Sequence, residues 1–162
     1  MTTPSKRSGP SSPGAVPKKR KPSSTLPEPG DVLNYSYLWE EEYRDGRDEG
    51  VKDRPVAVVI VTVMADGLEQ VIVAALSTSP PRHGERAIEV PSVVRRQLRL
   101  SADRSWVVVS EVNRFTWPGY DIRPVPGREP ETRYGTLPSG FFRQVRDAIF
   151  AGGIGRVVDR DD

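Results

Sequence analysis

The chain has 162 residues, which fits one domain of ordinary size, and it contains no cysteine and one histidine, His83. The missing cysteines exclude disulfides, cysteine-based zinc sites and thiol catalysis, and a single histidine excludes a His-rich metal site or a His-based triad within one chain. The net charge of +2 divides into +5 for residues 1–29 and −3 for the remainder, so the high isoelectric point belongs to the first segment.

Residues 1–29 consist almost entirely of Pro, Ser, Thr, Gly, Ala, Lys and Arg. Such a composition buries too little apolar area to offset the entropy lost on ordering, so it predicts a disordered tail that acts as a solvated, weakly RNA-attracted arm. No apolar segment follows its basic residues as in a signal peptide, and no stretch of the chain is long and apolar enough to span a bilayer. We expect a soluble cytoplasmic protein.

The pattern from residue 30 onward predicts a mainly β, α+β domain over 30–153. Strands are expected at 31–39, 55–64, 71–78, 87–90, 105–112 and 133–137, with a polar loop at 40–53 and an Asp66-Gly67 hairpin between the second and third strands. Residues 91–100 favour a brief helix or turn, and 113–131 favour a loop. Apolar residues at helical spacing predict an amphipathic helix over 138–153, with Phe141, Val145 and Ile149 inward, and 154–162 are expected to fray.

The ordered set of motifs resembles the PemK/MazF family, the toxins of bacterial type II toxin–antitoxin systems. The motifs are "GDVL", "RPVAVV", "VIVAALSTS", "SWVVVSEVNRFTW" and a closing "GTLPSGFFRQVRDAI", and together they cover about residues 29–150. The resemblance implies a small SH3-like antiparallel barrel with a C-terminal helix. It also implies a bacterial homodimer without a cofactor or metal, which cleaves single-stranded RNA at selected sequences and is neutralised by a cognate antitoxin.

The resemblance assigns roles to particular positions. Arg54, before Pro55, matches the family's active-site arginine, and Ser77 matches its catalytic threonine near the end of the third strand. Glu111 matches an acidic position that is a proposed base in some members, and Arg114 matches a basic residue shortly after it.

These residue types suit cleavage of RNA by its own 2′-OH. Arginine stays charged and its planar fork can bind two phosphate oxygens, so Arg54 suits stabilisation of the phosphorane. Ser77 suits positioning of a phosphate oxygen rather than nucleophilic attack, because no histidine partner is in view. Glu111 is the best candidate for the base, but on its own the position favours a structural partner of Arg114 over a base.

Further residues are candidates for contact with RNA. Thr78, Arg82, His83, Arg114 and Trp117 form this predicted set, with Tyr120 as a second aromatic that could stack a base or pack locally. Arg86, Arg95, Arg96 and Arg99 either contact successive phosphates of the RNA backbone or simply form the solvated face of a helix.

Other readings of the same residues stay open. An arginine at a strand end is often a surface cap, and Ser-Thr-Ser before Pro-Pro is often turn chemistry. The loop before Arg54, "RDEGVKD", is longer and more acidic than in the family, and serine replaces threonine at 77. These departures motivate an alternative in which a catalytically weakened barrel binds protein or nucleic acid without cleaving it. A general nucleic-acid-binding barrel with a basic arm is a third possibility.

Overall fold

The computed structural model describes residues 25–50, 52–151 and 153–161. Residues 1–24 of the predicted tail therefore lie outside the described residues, whereas 25–29 lead into the fold: Pro27 is buried and the Glu28 amide donates to Asp31 at 2.9 Å. Eight strands and three helices follow in chain order: β1 (Asp31–Tyr35), α1 (Glu40–Arg44), β2 (Arg54–Val63), β3 (Glu69–Ser77), β4 (Ala87–Glu89), α2 (Ser92–Gln97), β5 (Trp106–Val108), β6 (Glu111–Thr116), β7 (Arg133–Thr136), α3 (Ser139–Phe150) and β8 (Arg156–Asp159).

The long β2–β3 hairpin is the centre of the sheet. It turns at Asp66-Gly67 as predicted, with Gly67 at a φ of +87° and the Asp66 carboxylate accepting the Leu68 amide at 3.0 Å. β1 pairs with the free edge of β2, and β7 pairs with β1, both antiparallel. The sheet is thus mainly antiparallel, and within the described residues its path from β4 to β7 remains open rather than closing into a barrel.

The predicted strand over 105–112 is in fact two strands. β5 pairs with the end of β3 and β6 pairs with its start, so both use the same edge of β3. The chain leaves that edge at Val109 and Ser110, because the Val109 amide donates to the Arg86 carbonyl at 2.8 Å and the Ser110 carbonyl accepts from Arg156 at 3.2 Å. β6 then continues to Thr116, into a stretch that we expected to be loop.

The C-terminal segment forms a strand, so the expectation of fraying over 154–162 is wrong for Arg156–Asp159. β8 pairs with β6, and this pairing is parallel. Val158 is 1% exposed, and the guanidinium of Arg160 contacts the Asp121 carboxylate at 3.1 Å and donates to the Ser36 carbonyl at 2.7 Å. The buried side chain of Val158 and the charge-assisted contacts of Arg160 together hold the segment against the sheet.

One face of the sheet is covered by α2 and α3. Phe141, Val145 and Ile149 of α3 are buried against it, as predicted, along with Leu76 of β3 and Leu98 after α2. The helix is shorter than predicted, since it begins at Ser139 and ends at Phe150.

The opposite face carries a second, more aromatic core. Tyr35 stacks on Phe115 with ring centroids 5.0 Å apart, and Tyr37 is also buried there. Val56 of β2 and Ala75 of β3 belong to this core, whereas their neighbours Ala57 and Ala74 belong to the other, which is the period-two alternation of paired strands. This alternation decides which side chains meet at the ends of β2 and β3.

Candidate active site

The start of β2 and the end of β3 lie at the same end of the hairpin. Val56 pairs with Ala75, and two residues further out the strands reach Arg54 and Ser77. Side chains alternate along a strand, so Arg54 and Ser77 lie on the same face of the sheet as Val56 and Ala75 of the aromatic core. The hairpin register therefore brings together the arginine and the hydroxyl that the resemblance singled out.

These two side chains line one cavity of about 370 Å³, here called the arginine cavity. Its wall is completed by α1, by the residues after β3 and by the loop that follows them. The lining residues are Trp39, Glu41, Glu42, Asp45, Lys52, Arg54, Ser77, Thr78, Ser79, Pro80, Arg82 and Glu85.

Arg54 is half-buried and lies over an indole ring. Its guanidinium carbon is 5.1 Å from the Trp39 ring centroid, and its Nε is buried with no hydrogen-bond partner in the described part of the chain. Burial lowers the pKa of Arg54 below its ordinary value, and the charge of Glu42 opposes that shift. The guanidinium is held in place by packing while its donors stay uncommitted to any described carboxylate.

Ser77 takes part in a local turn as well as in the cavity. Its Oγ accepts the Ser79 amide at 3.1 Å and faces the Ser79 carbonyl at 3.4 Å. The contact to the amide fixes the hydroxyl oxygen, and the long contact to the carbonyl leaves its proton able to turn toward a bound oxygen. Thr78, the next residue, is exposed and lines the same cavity.

Acidic side chains dominate the rim of the arginine cavity. Lys52, Arg54 and Arg82 contribute positive charge, and four carboxylates oppose them: Glu41, Glu42, Asp45 and Glu85. Arg82 is itself close to two of the carboxylates, at 3.6 Å from Glu41 and 3.9 Å from Glu85. Lys52 and Arg54 are therefore the cations of the rim without a described ion pair.

Three of these carboxylates come from or directly follow α1, which the sequence analysis assigned to a loop. The Glu42 carboxylate accepts the Trp39 amide at 3.2 Å, and Arg44 contacts Glu40 at 2.6 Å one turn earlier. The helix is short, but both contacts are those of a regular first turn. The acidic first turn and the Glu40–Arg44 spacing of the run Glu-Glu-Glu-Tyr-Arg are typical of a helix, but the nearby glycines favoured a loop in the prediction.

Glu111 lies in a neighbouring cavity of about 590 Å³, here called the glutamate cavity. It is 6% exposed, and its Oε2 accepts the Glu40 amide at 2.9 Å and the Tyr37 hydroxyl at 3.4 Å. Burial raises the pKa of Glu111 above its ordinary value of 4.5, against the lowering effect of the Glu40 amide and of Arg156. Glu111 thus anchors the start of α1 rather than facing the arginine cavity.

The arginine cavity and the glutamate cavity share part of their lining, and one predicted residue, Arg82, lies at their boundary. Trp39 and Arg82 line both, whereas His83 lines the glutamate cavity alone. From Arg54 the path to Glu111 runs through the Trp39 ring, which packs edge-on against Tyr37 with centroids 4.8 Å apart. Arg54 and Glu111 are neighbouring parts of one region, separated by two aromatic side chains.

Arg114 and Trp117 lie away from both cavities. Arg114 pairs with Asp159 of β8 at 2.6 Å, and the partner of Glu111 is Arg156 at 3.8 Å, so the predicted Glu111–Arg114 pairing is wrong. Trp117 packs near Phe115, with centroids 6.4 Å apart, and lines a different cavity. The prediction for Arg114 did not include β8, whose Asp159 lies opposite Arg114 in the pairing with β6.

Two residues of the site were absent from the sequence-based candidates. Trp39, at the end of the predicted first strand, supplies the ring beneath Arg54, and Glu42 supplies the charge that acts on it. Their proximity to Arg54 depends on the fold, and no local sequence pattern links either residue to Arg54 or Ser77.

Within residues 25–50, 52–151 and 153–161, no group of three or more acidic or histidine side chains is arranged to hold a metal ion. In the same ranges, no helix has the length and apolar character needed to cross a membrane. Neither a comparison with protein-family models nor a search of curated proteins finds a match to the chain.

Proposed function

We propose that this protein is the toxin of a type II toxin–antitoxin system, a metal-independent endoribonuclease that cleaves single-stranded RNA at selected sequences. The observation that carries the proposal is the shared cavity of Arg54, Ser77 and Thr78 at the end of the β2–β3 hairpin. An uncommitted guanidinium beside two hydroxyls is the donor set that a phosphodiester needs. The resemblance to the PemK/MazF family supplies the reaction class.

In the proposed reaction, the 2′ oxygen of a ribose forms a bond to the adjacent phosphorus while the bond from phosphorus to the 5′ oxygen breaks. The 2′ proton passes to a carboxylate, and the departing 5′ oxygen receives a proton from water. The products are a 2′,3′-cyclic phosphate and a 5′-OH. No atom of the protein becomes covalently attached to the RNA.

Arg54 stabilises the charge that develops on the phosphorane. Its terminal amino groups make no ion pair or hydrogen bond with a described residue, and its ring contact with Trp39 limits its motion, so these donors need little reorganisation when the charge appears. Ser77 and Thr78 orient phosphate oxygens through their hydroxyl protons. Removing one such preorganised donor typically costs on the order of 10²–10³ in rate.

Glu42 is the proposed proton acceptor in place of Glu111. Glu42 lines the arginine cavity and its charge acts on Arg54, whereas Glu111 lies beyond Tyr37 and lines only the glutamate cavity. A carboxylate in the same cavity as the phosphate can reach the proton directly, which is the first requirement for a general base. Glu111 then has a positioning role, because it fixes the helix that carries Glu42.

The family's SH3-like barrel, homodimer and antitoxin partner belong to the same proposal. The mainly antiparallel sheet and the packing of α3 across one face support this part of the proposal. A second protomer and the antitoxin would be the partners of this chain in a bacterial cytoplasm.

The acidic rim favours a second candidate function. Four carboxylates around Arg54 repel a polyanion and attract a cationic segment of a protein. In that alternative the cavity is a docking site for a basic peptide and no cleavage occurs. The two candidates differ in a simple observable, since only the first changes RNA covalently.

The test is incubation of the purified protein with a long mixed-sequence RNA in the presence of EDTA, followed by mapping of the new ends. The proposal expects discrete cuts that carry 2′,3′-cyclic phosphate and 5′-OH termini. RNA that stays intact would reject the nuclease, and ends bearing a 3′-OH and 5′-phosphate would reject the mechanism.

A further inference from the structure

A third cavity, of about 470 Å³, lies at the same end of the β2–β3 hairpin but on the other face of the sheet. It is here called the leucine cavity after Leu76. Its lining residues are Asp53, Pro55, Leu76, Thr78, Arg99, Leu100, Ser101, Ala102, Ser105, Val125, Pro126, Arg128 and Tyr134.

The leucine cavity and the arginine cavity are separated only by the two strand ends. Arg54 and Ser77 face one side, and their immediate neighbours Pro55 and Leu76 face the other, as strand alternation requires. Thr78, just beyond the end of β3, lines both cavities. Thr78 therefore marks the point where the two cavities meet, next to the position of a phosphate bound at Arg54.

The lining of the leucine cavity is mainly apolar with polar groups at its edge. Pro55, Leu76, Leu100, Val125 and Pro126 supply apolar surface. Around them lie hydroxyl groups of serine, threonine and tyrosine, which offer both donors and acceptors. Apolar walls with a few convergent polar groups are typical of sites that bind small organic rings.

Two arginines also line this cavity, and they differ in the contacts that their guanidinium groups make. Arg128 is engaged, with its guanidinium carbon 5.7 Å from the Tyr134 ring centroid and its Nε 3.7 Å from Glu131. Arg99 is exposed and makes no ion pair with a described residue. With Asp53 as the opposing acid, the lining carries a net positive charge, in contrast to the acidic rim of the arginine cavity.

The backbone at Arg99 is unusual as well. Its φ is +57°, the left-handed region that non-glycine residues seldom adopt, and it is the one described non-glycine residue with a positive φ. At this position the conformation closes α2: the Arg99 amide donates to the Arg96 carbonyl and the Leu100 amide donates to the Arg95 carbonyl, each at 3.0 Å, which is the pattern of a Schellman helix end. This helix end, with Leu98 as its C-cap, places Arg99 at the rim of the cavity.

We propose that the leucine cavity binds the base of the nucleotide adjoining the phosphate held at Arg54, and that this contact contributes to sequence selection. The inference rests on the proposed function, since it places RNA at Arg54. Arg99 meets a flanking phosphate, the apolar wall receives the base, and the serine and tyrosine hydroxyls bond its polar edge.

The test fills the leucine cavity without touching the arginine cavity. Ala102→Trp places a large side chain in the lining, and Asp103→Trp makes the same addition at an exposed neighbour outside it. Each variant and the wild type are used to cleave one long mixed-sequence RNA, and cut positions are mapped. Ala102→Trp is expected to lose base preference and to slow cleavage at preferred sites on the order of 10- to 100-fold, in line with the worth of one stacked base. Asp103→Trp is expected to match the wild type.

A second readout does not depend on cleavage. Titration of the wild type with the four nucleoside 5′-monophosphates, followed by NMR, is expected to shift signals of Leu100 and Tyr134, with one base binding most tightly. Arg99→Gln, at an exposed position that a fold tolerates readily, is expected to weaken that binding several-fold. Unchanged cut positions in Ala102→Trp together with unshifted Leu100 and Tyr134 signals would overturn the inference and leave the nuclease intact. Binding that Ala102→Trp abolishes, in a protein that leaves RNA uncut, would support the nucleotide site and reject the nuclease.

Discussion

Replacing Arg54 by alanine separates a functional arginine from a structural one. In the folded protein Arg54 makes no described ion pair and its Nε has no hydrogen-bond partner, so truncation leaves no buried group newly unpaired. What is lost is the contact with the Trp39 ring at 5.1 Å, worth about 0.5–2 kcal/mol, and the release of a half-buried charge offsets part of it. We expect the free energy of unfolding to fall by less than about 2 kcal/mol, which a domain of ordinary stability tolerates.

The expected effect on cleavage is far larger. Loss of a preorganised donor to the phosphorane corresponds to about 2.7–4 kcal/mol in the barrier, or on the order of 10²–10³ in rate. The assay pairs urea unfolding with single-turnover cleavage of one RNA in EDTA. A stable Arg54→Ala protein that cleaves at the wild-type rate would refute the reasoning.

Arg104→Ala is the matched control for this experiment. Arg104 also lies over a tryptophan, with its guanidinium carbon 4.8 Å from the Trp106 ring centroid, but it pairs with Glu89 and lines none of the three cavities. Its removal takes away the same kind of ring contact and should leave the cleavage rate unchanged. Equal rate losses in the two variants would mean that the effect of Arg54→Ala comes from packing.

The other predictions concern the carboxylates and the core. Glu41→Gln and Glu42→Gln each remove one negative charge from the rim, so both should tighten RNA binding at low salt. Only Glu42→Gln should also slow single-turnover cleavage, because Glu42 is the proposed proton acceptor. A rate loss in Glu41→Gln alone would assign that role to Glu41 instead. Burial raises the pKa of Glu111, so the stability contributed by the protonated side chain is present below pH 4.5 and is lost as the pH rises through the folded-state pKa. In urea unfolding, the wild type should gain stability relative to Glu111→Gln as the pH falls from 7 to 4. The opposite trend would contradict burial as the cause of the raised pKa. Ile149→Ala removes a fully buried side chain from the inner face of α3 and should lower the free energy of unfolding by about 2–5 kcal/mol. A loss under 1 kcal/mol would argue against the packing of α3 on the sheet.

Local patterning anticipated much of this fold. The Asp66-Gly67 turn, the paired apolar runs of β2 and β3 and the helical spacing of Phe141, Val145 and Ile149 are signals within short windows, and the structure confirms all of them. The convergence of Arg54 and Ser77 followed from the same hairpin, because an antiparallel pair brings the start of one strand beside the end of the next.

Long-range pairings were beyond that kind of reasoning. The break at Val109 and Ser110 depends on hydrogen bonds to Arg86 and Arg156, which are distant in sequence. β8 is a short strand whose partner, β6, precedes it by more than thirty residues, and its presence gives Arg114 an ion-pair partner that no local pattern reveals. The acidic character of the arginine cavity arises in the same way, since α1 folds over strand ends remote from it.

The central claim is that an RNA phosphate enters the arginine cavity, and NMR of the side chains there tests it most directly. The protein, labelled with ¹⁵N, is titrated with a mixed-sequence 2′-O-methyl RNA, which cannot be cleaved because it lacks the attacking hydroxyl. We expect saturable shifts of the Arg54 Nε–H and Trp39 indole N–H signals, while those of Arg104 and Trp106 stay in place. Saturable RNA binding that leaves the Arg54 and Trp39 signals unmoved, or an absence of any binding, would contradict it.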